Sequence, residues 1–90
     1  MKNALTEEQK EALVIFMEEA SECVQSASKM LRFGQEETTE TLEKEISDLL
    51  CMVEILINLD IVSMIHSEEY ISEKKEKLKV WSDLYSCVYD

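Results

Sequence analysis

Acidic residues recur in this chain at helical spacing among apolar neighbours. Glu18, Glu19 and Glu22 stand in the stretch Glu18-Glu19-Ala20-Ser21-Glu22, and Glu45 and Asp48 bracket Ile46-Ser47. Positions i and i+3 meet on one side of a helix, so Glu19 pairs with Glu22 and Glu45 pairs with Asp48. Two helices that carry such pairs can bring them face to face. None of Glu18, Glu19, Glu22 and Glu45 has a Lys or Arg three or four residues away, and Asp48 has only Lys44, so ordinary salt-bridge lacing does not explain them. Glu18 and Glu22 are like charges at i,i+4, which costs about 0.2–0.5 kcal/mol on an exposed helix. A bound multivalent cation reverses that sign.

Ionised carboxylates removed from water cost several kcal/mol each unless paired, and neighbouring like charges add to that cost. Mg²⁺ offers relief, because it is a hard cation that prefers oxygen ligands and commonly takes one or two carboxylates, waters and phosphate oxygens. Zinc fits poorly, since the sequence holds no His/Cys ligand set. A di-iron site of the ferritin-like type usually needs Glu-x-x-His, and His66 has Ser63 three residues before it.

The elements that must position these acids are helices. One Gly, no Pro, few aromatics and plentiful Leu, Ile, Glu and Lys predict an all-α fold. The first helix is expected to start at Thr6, whose hydroxyl can cap the backbone while Gln9 completes a capping box, and to run to Arg32 or Phe33 before Gly34 stops it in a left-handed conformation. Leu13, Phe16, Ala20, Val24, Ala27 and Leu31 trace one stripe on it. Glu19 is expected at that stripe's edge and Glu22 further round, bordering the core.

After a polar connection over 35–40, Thr38, Thr39 and Thr41 compete to cap a second helix. Its apolar residues, from Leu42 to Ile61, point almost all round the axis, with Glu45 and Asp48 inside the apolar arc. A chain of 90 residues cannot surround such a helix alone, so a second subunit is expected to pack on it. The second helix is expected either to break at Asn58-Leu59-Asp60 or, the reading preferred here, to reach Ile65, with Ser67 capping a third that carries Ile71, Leu78, Trp81 and Tyr85 on one side and Lys74, Lys75, Lys77 and Lys79 together. The expected architecture is therefore a single domain over residues 1–90, with three main helices in a bundle completed by a homodimer or homotetramer.

Charge and cysteines narrow the function. A formal net charge of −11 repels nucleic acid and anionic membrane surfaces, so neither is an expected partner. An anionic small molecule is repelled too, unless metal ions fill the carboxylates and invert the local field. Cys23, Cys51 and Cys87 form no metal-ligand spacing, and Cys23 and Cys51 read as small core residues in a reducing cytosol. No charged-then-apolar leader opens the chain, so a cytoplasmic location is expected. The apolar stretch from Leu49 to Ile65 contains Glu54, Asn58 and Asp60 and reads as a bundle helix rather than a membrane span.

The Glu-Glu-x-x-Glu element at Glu18-Glu19-Ala20-Ser21-Glu22 and the Glu-x-x-Asp element at Glu45-Ile46-Ser47-Asp48, followed by Leu49-Leu50, resemble those of the MazG-like all-α nucleotide pyrophosphohydrolases. The likeness covers roughly Leu13 to Leu56, and the lysine-bearing third helix agrees more loosely. It implies a Mg²⁺-dependent enzyme, with Mn²⁺ a possible substitute, that splits a nucleoside triphosphate between the α and β phosphates into monophosphate and pyrophosphate. It also implies dimers or tetramers of helical subunits. Carried across, the metal ligands fall on Glu19, Glu22, Glu45 and Asp48, and Glu18 matches the motif's first, more auxiliary glutamate. Lys74, Lys75, Lys77 and Lys79 are candidate contacts to the β and γ phosphates. The short chain, the long tail of the first helix between the two motifs, and the lack of a clear counterpart to the basic and Asn residues that some members use beyond the second motif depart from the family pattern, which leaves base and sugar selectivity open.

Blander readings stand beside these. The first-helix glutamates alone would be a solvated face, and the lysine run a balance for Glu68, Glu69, Glu73 and Glu76. Phe16, Phe33 and Trp81 read as core or interface packing, Asn58 and Asp60 as helix breakers, and His66 as a helix-end residue. The competing function is a non-catalytic helical interaction or regulatory protein that keeps the bundle without the chemistry.

Overall fold

The computed structural model describes residues 4–89, so residues 1–3 and 90 of the expected domain lie outside the described residues. The described chain is helical throughout: α1 (Glu7–Phe33), α2 (Thr39–Asn58), α3 (Ser67–Trp81) and α4 (Leu84–Tyr89), with no strand among the described residues. None of these helices is long and apolar enough to cross a membrane.

The first helix begins as its sequence dictates. The Gln9 amide donates to Thr6 Oγ1 and the Thr6 amide donates back to Gln9 Oε1, both at 3.0 Å, which satisfies two of the amides a helix start leaves unpaired. Gln9 also reaches across the fold, its Nε2 donating to the Leu59 carbonyl at 2.8 Å. That bond joins the start of α1 to the end of α2, so the two helices run antiparallel as a hairpin. At the other end, Gly34 has φ 93° with an extended ψ of 168°, so it stops α1 with a positive φ but without the left-handed helical cap. Thr38 is the residue before α2, yet its hydroxyl does not cap it. It donates to the Gly34 carbonyl at 2.7 Å, and Thr39 does the same to Gln35.

The hairpin core is small. Ala12, Met52 and Leu56 are its buried apolar residues among those described, with Leu13, Ile15, Phe16, Ile55, Leu59 and Ile61 packed against them. Ser26 is buried as well. The face α1 turns to α2 therefore runs through Ala12, Phe16, Glu19, Cys23 and Ser26. It is rotated from the expected stripe: Val24 and Ala27 are exposed, and Leu31 is 90% exposed.

Several expected boundaries are corrected. The second helix ends at Asn58, the earlier of the two expected breaks and not the preferred Ile65: Asp60 takes φ 59°, a left-handed conformation that cannot continue a helix. Met64 does likewise at φ 60°, and α3 is preceded by His66 rather than capped by Ser67, which is its first residue. The third helix ends at Trp81, so Tyr85 belongs to a fourth, short helix that the sequence reading lacked. Tyr85 and Tyr89 turn back beneath α3, where Lys79 Nζ lies 4.7 Å from the Tyr85 ring and Lys75 Nζ 4.5 Å from the Tyr89 ring. Among the described residues α3 packs on α4 but on neither α1 nor α2, so no single-chain bundle of three helices forms.

Candidate metal centre

Midway along the hairpin each helix turns an acid into the interface. Glu19 and Glu22 come from α1, one turn apart, and Glu45 comes from α2. One carboxylate oxygen from each lies within 4.8 Å of the others. Glu19 Oε2 and Glu45 Oε2 are shut off from water and accept no hydrogen bond. Both side chains are half-buried, and at these two oxygens hydration is lost and nothing replaces it, which is costly for a carboxylate.

The electrostatics follow from that geometry. Burial, then the charges of Glu22 and Asp48, raise the Glu19 pKa above its ordinary value. Glu45 is raised first by the hydrogen bond that its protonated form shares with the Glu22 carboxyl, then by burial and by the charges of Glu22, Asp48 and Glu19. With all three ionised no donor remains among them, so a shared proton or a cation is what relieves the repulsion. Cys23, half-buried one turn beyond Glu19, feels the same field: burial and then the charges of Glu45 and Glu19 push its thiol pKa up. It is thus a poorly ionised thiol beside the acids.

The expected site is brought together in part. Glu19, Glu22 and Glu45 converge. Glu22 is exposed, so it forms the solvent-facing side of the cluster rather than lying in the core. Asp48 is exposed and outside the trio, although the helical arc had placed it within the apolar face; its charge still reaches both Glu19 and Glu45. Glu18 is exposed on the outside of α1 and contributes only its charge at Glu19. The lysines do not meet the acids within one chain. Lys79 pairs with Glu76 at 2.9 Å, Lys75 and Lys79 lie over tyrosine rings, and Lys74 lines an open cavity of about 550 Å³ at the elbow before α3, with Met64, Ile65, Tyr70 and Ile71.

Other expectations on side chains change too. Cys51 is exposed rather than a core residue, Phe33 lies in solvent under the Arg32 guanidinium, and Trp81 is 83% exposed. Phe16 does pack on the core, and His66 is a helix-end residue, its Nδ1 3.7 Å from a Glu69 carboxylate oxygen.

The donor set fits a hard divalent cation. All converging atoms are carboxylate oxygens, the preference of Mg²⁺ and Mn²⁺, and two of them are buried without a partner, which a cation would supply. Comparison with known proteins finds no match: no protein family, no curated protein and no solved structure is recognisably similar to this chain.

Proposed function

We propose that the α1–α2 hairpin is the catalytic unit of a cytoplasmic, Mg²⁺-dependent pyrophosphohydrolase that converts a nucleoside or deoxynucleoside triphosphate into the monophosphate and pyrophosphate. One observation carries the reading: the partnerless, water-excluded oxygens of Glu19 and Glu45, held on facing helices beside Glu22. A fold retains such a repulsion where a bound cation makes use of it. Glu19, Glu22 and Glu45 would hold the ion, with Asp48 the nearest further carboxylate. When bound, Mg²⁺ supplies charge neutralisation at the phosphates and acidifies a coordinated water.

The chain's own residues define the rest. Glu22 opens the cluster to solvent, so an anionic substrate approaches from that side rather than through the hairpin core. One of the carboxylates would orient the attacking water or accept its proton, and Asp48 adds its charge beside Glu19 and Glu45. Net charge keeps an unaccompanied triphosphate away, so substrate arrives with its metal. The likeness of the two acidic elements to the MazG-like enzymes supports the α–β bond as the one cleaved.

The competing reading, a helical interaction protein without chemistry, is favoured by one fact: the lysines meant for phosphate contact lie on an arm that does not touch the hairpin. Product analysis separates the two. Purified protein with a panel of NTPs and dNTPs and Mg²⁺ should release monophosphate and pyrophosphate in equal amounts. Release of orthophosphate, or inactivity across the whole panel, would overturn the proposal.

A further inference from the structure

At the loop end of the hairpin, Ser26, Lys29, Glu37, Thr38 and Thr41 line a polar cavity of about 170 Å³, room for one small ion and a few waters. It lies one turn beyond the acid cluster. Ser26 follows Glu22 by four residues on α1, and Thr41 precedes Glu45 by four on α2, about 6 Å along each axis. Ser26 is the buried polar residue among those described, at 5% exposure. A serine in a helix can give its hydroxyl hydrogen to the carbonyl four residues back, as Ser47 does to Glu43 at 2.8 Å. Ser26 makes no such bond and meets no other partner among the described residues, so its hydroxyl is left to the cavity it lines.

The start of α2 adds further donors. The Thr38 and Thr39 amides both donate to the Gln35 carbonyl and the Leu42 amide to Thr38, so the amides of Glu40 and Thr41 between them have no acceptor. No side chain caps them. Free amides at the positive end of a helix dipole favour an anion. Lys29 is exposed at the same cavity and forms no ion pair among the described residues. Two lining groups can only accept: Thr38 spends its hydroxyl hydrogen on the Gly34 carbonyl at 2.7 Å, and Glu37 is a carboxylate. The cavity therefore suits an oxyanion that carries a hydrogen of its own. Phosphate keeps a P–O–H at neutral pH, whereas sulfate has no hydrogen to give. The net charge of −11 opposes any anion at long range, but salt at about 0.15 M screens charges beyond about 8 Å and leaves the decision to the donors in contact.

We infer that this cavity binds a protonated phosphate group, either the free ion or the terminus of a larger phosphorylated molecule. The Ser26 and Thr41 hydroxyls, Lys29 and the free amides of Glu40 and Thr41 hold its oxygens, while Glu37 and Thr38 accept from the P–O–H. The inference stands apart from the catalytic reading, because the group binds without metal or turnover.

Calorimetric titration of the whole chain with inorganic phosphate in EDTA, paired with amide NMR spectra, tests it. One saturable site per chain is expected, with the Glu40 and Thr41 amide resonances shifting in step with occupancy. Lys29→Gln should weaken binding at least about tenfold and Ser26→Ala at least about threefold. Neither variant removes a bond that the fold uses. Lys10→Gln makes the same charge change about 28 Å away along α1 and should leave the affinity within about twofold. Sulfate should bind at least about tenfold more weakly than phosphate, and Glu37→Gln, whose amide can donate, should narrow that gap. Pyrophosphate and adenosine monophosphate distinguish the sources. Tighter binding of either, lost in the same variants, supports a phosphate terminus as the ligand, and tightest binding of inorganic phosphate supports the free ion. Non-saturating heats, saturation that leaves the Glu40 and Thr41 amides unmoved, equal weakening by Lys29→Gln and Lys10→Gln, or sulfate bound as tightly as phosphate would each overturn the inference.

Discussion

Glu19 on α1 and Glu45 on α2 each hold one carboxylate oxygen in the hairpin interface, sealed from water and without a hydrogen-bond donor. Glu19 adds to the raised pKa of Glu45, and Glu22 raises both. Two helices that would pack more favourably with neutral side chains here are instead forced to confine negative charge between them.

Replacing the charge should therefore relieve the fold and disable the site. Glu45→Gln is expected to raise the thermal midpoint in EDTA, since a hydrogen-bonding amide replaces a repelled carboxylate, and to lower turnover at least about a hundredfold by removing a ligand. Calorimetry in EDTA and a steady-state assay with Mg²⁺ check the two halves. A variant that is destabilised without metal would contradict the repulsion.

The pH dependence has a definite sign. The folded values of Glu19 and Glu45 lie above the ordinary 4.5, so the folded chain binds protons that the unfolded chain has already released. Below about 4.5 both states are protonated and the repulsion is absent; as pH rises from there through the raised folded values stability is lost, and above them the full cost remains. In EDTA the margin by which Glu45→Gln exceeds the wild type should thus grow from pH 4.5 towards neutrality. Mg²⁺ should shrink it at neutral pH. A margin that is constant with pH would show that the two carboxylates titrate normally.

How much of this was legible beforehand depends on the kind of information each residue carries. The cap at Thr6 and Gln9, the stop at Gly34 and the meeting of Glu19 with Glu22 on one side of α1 follow from local spacing, which a helix of fixed period translates directly into position; that Glu45 joins them while Asp48 stays outside depends on how the two helices pack. The side of α1 that meets α2 does not. Both the Val24–Leu31 stripe and the Ala12–Cys23–Ser26 stripe are uncharged enough to be buried, and only the fit of two helices chooses between them. The end of α2 was left open between Asn58-Leu59-Asp60 and Ile65 for a similar reason, because the left-handed turn at Asp60 is one of several conformations its sequence permits. No local pattern announces that α3 and α4 leave the hairpin uncovered.

Cysteine reactivity offers an independent view of the cluster. The raised pKa of Cys23 means little thiolate at pH 8, so iodoacetamide should modify it at least about tenfold more slowly than the exposed Cys51. Mg²⁺ should speed the Cys23 reaction by screening Glu45 and Glu19. Mass spectrometry of timed digests gives both rates, and equal labelling of the two thiols would place Cys23 outside the acidic field.

The tie between the helices is also measurable. Gln9 both completes the α1 cap and donates to the Leu59 carbonyl, so Gln9→Ala should cost about 1–2 kcal/mol in denaturant unfolding. Thr6→Ala, which loses the cap alone, should cost about 1 kcal/mol. Equal losses would mean that the bond to Leu59 contributes nothing.

The central claim is that the convergent acids bind a divalent cation. Mn²⁺ titration followed by electron paramagnetic resonance tests it directly, because free Mn²⁺ gives a signal that binding suppresses. Wild-type protein should show a saturable site that Mg²⁺ displaces and that Glu45→Gln weakens at least about tenfold. Non-saturating loss of signal, identical in wild type and variant, would reduce the cluster to a diffuse acidic surface.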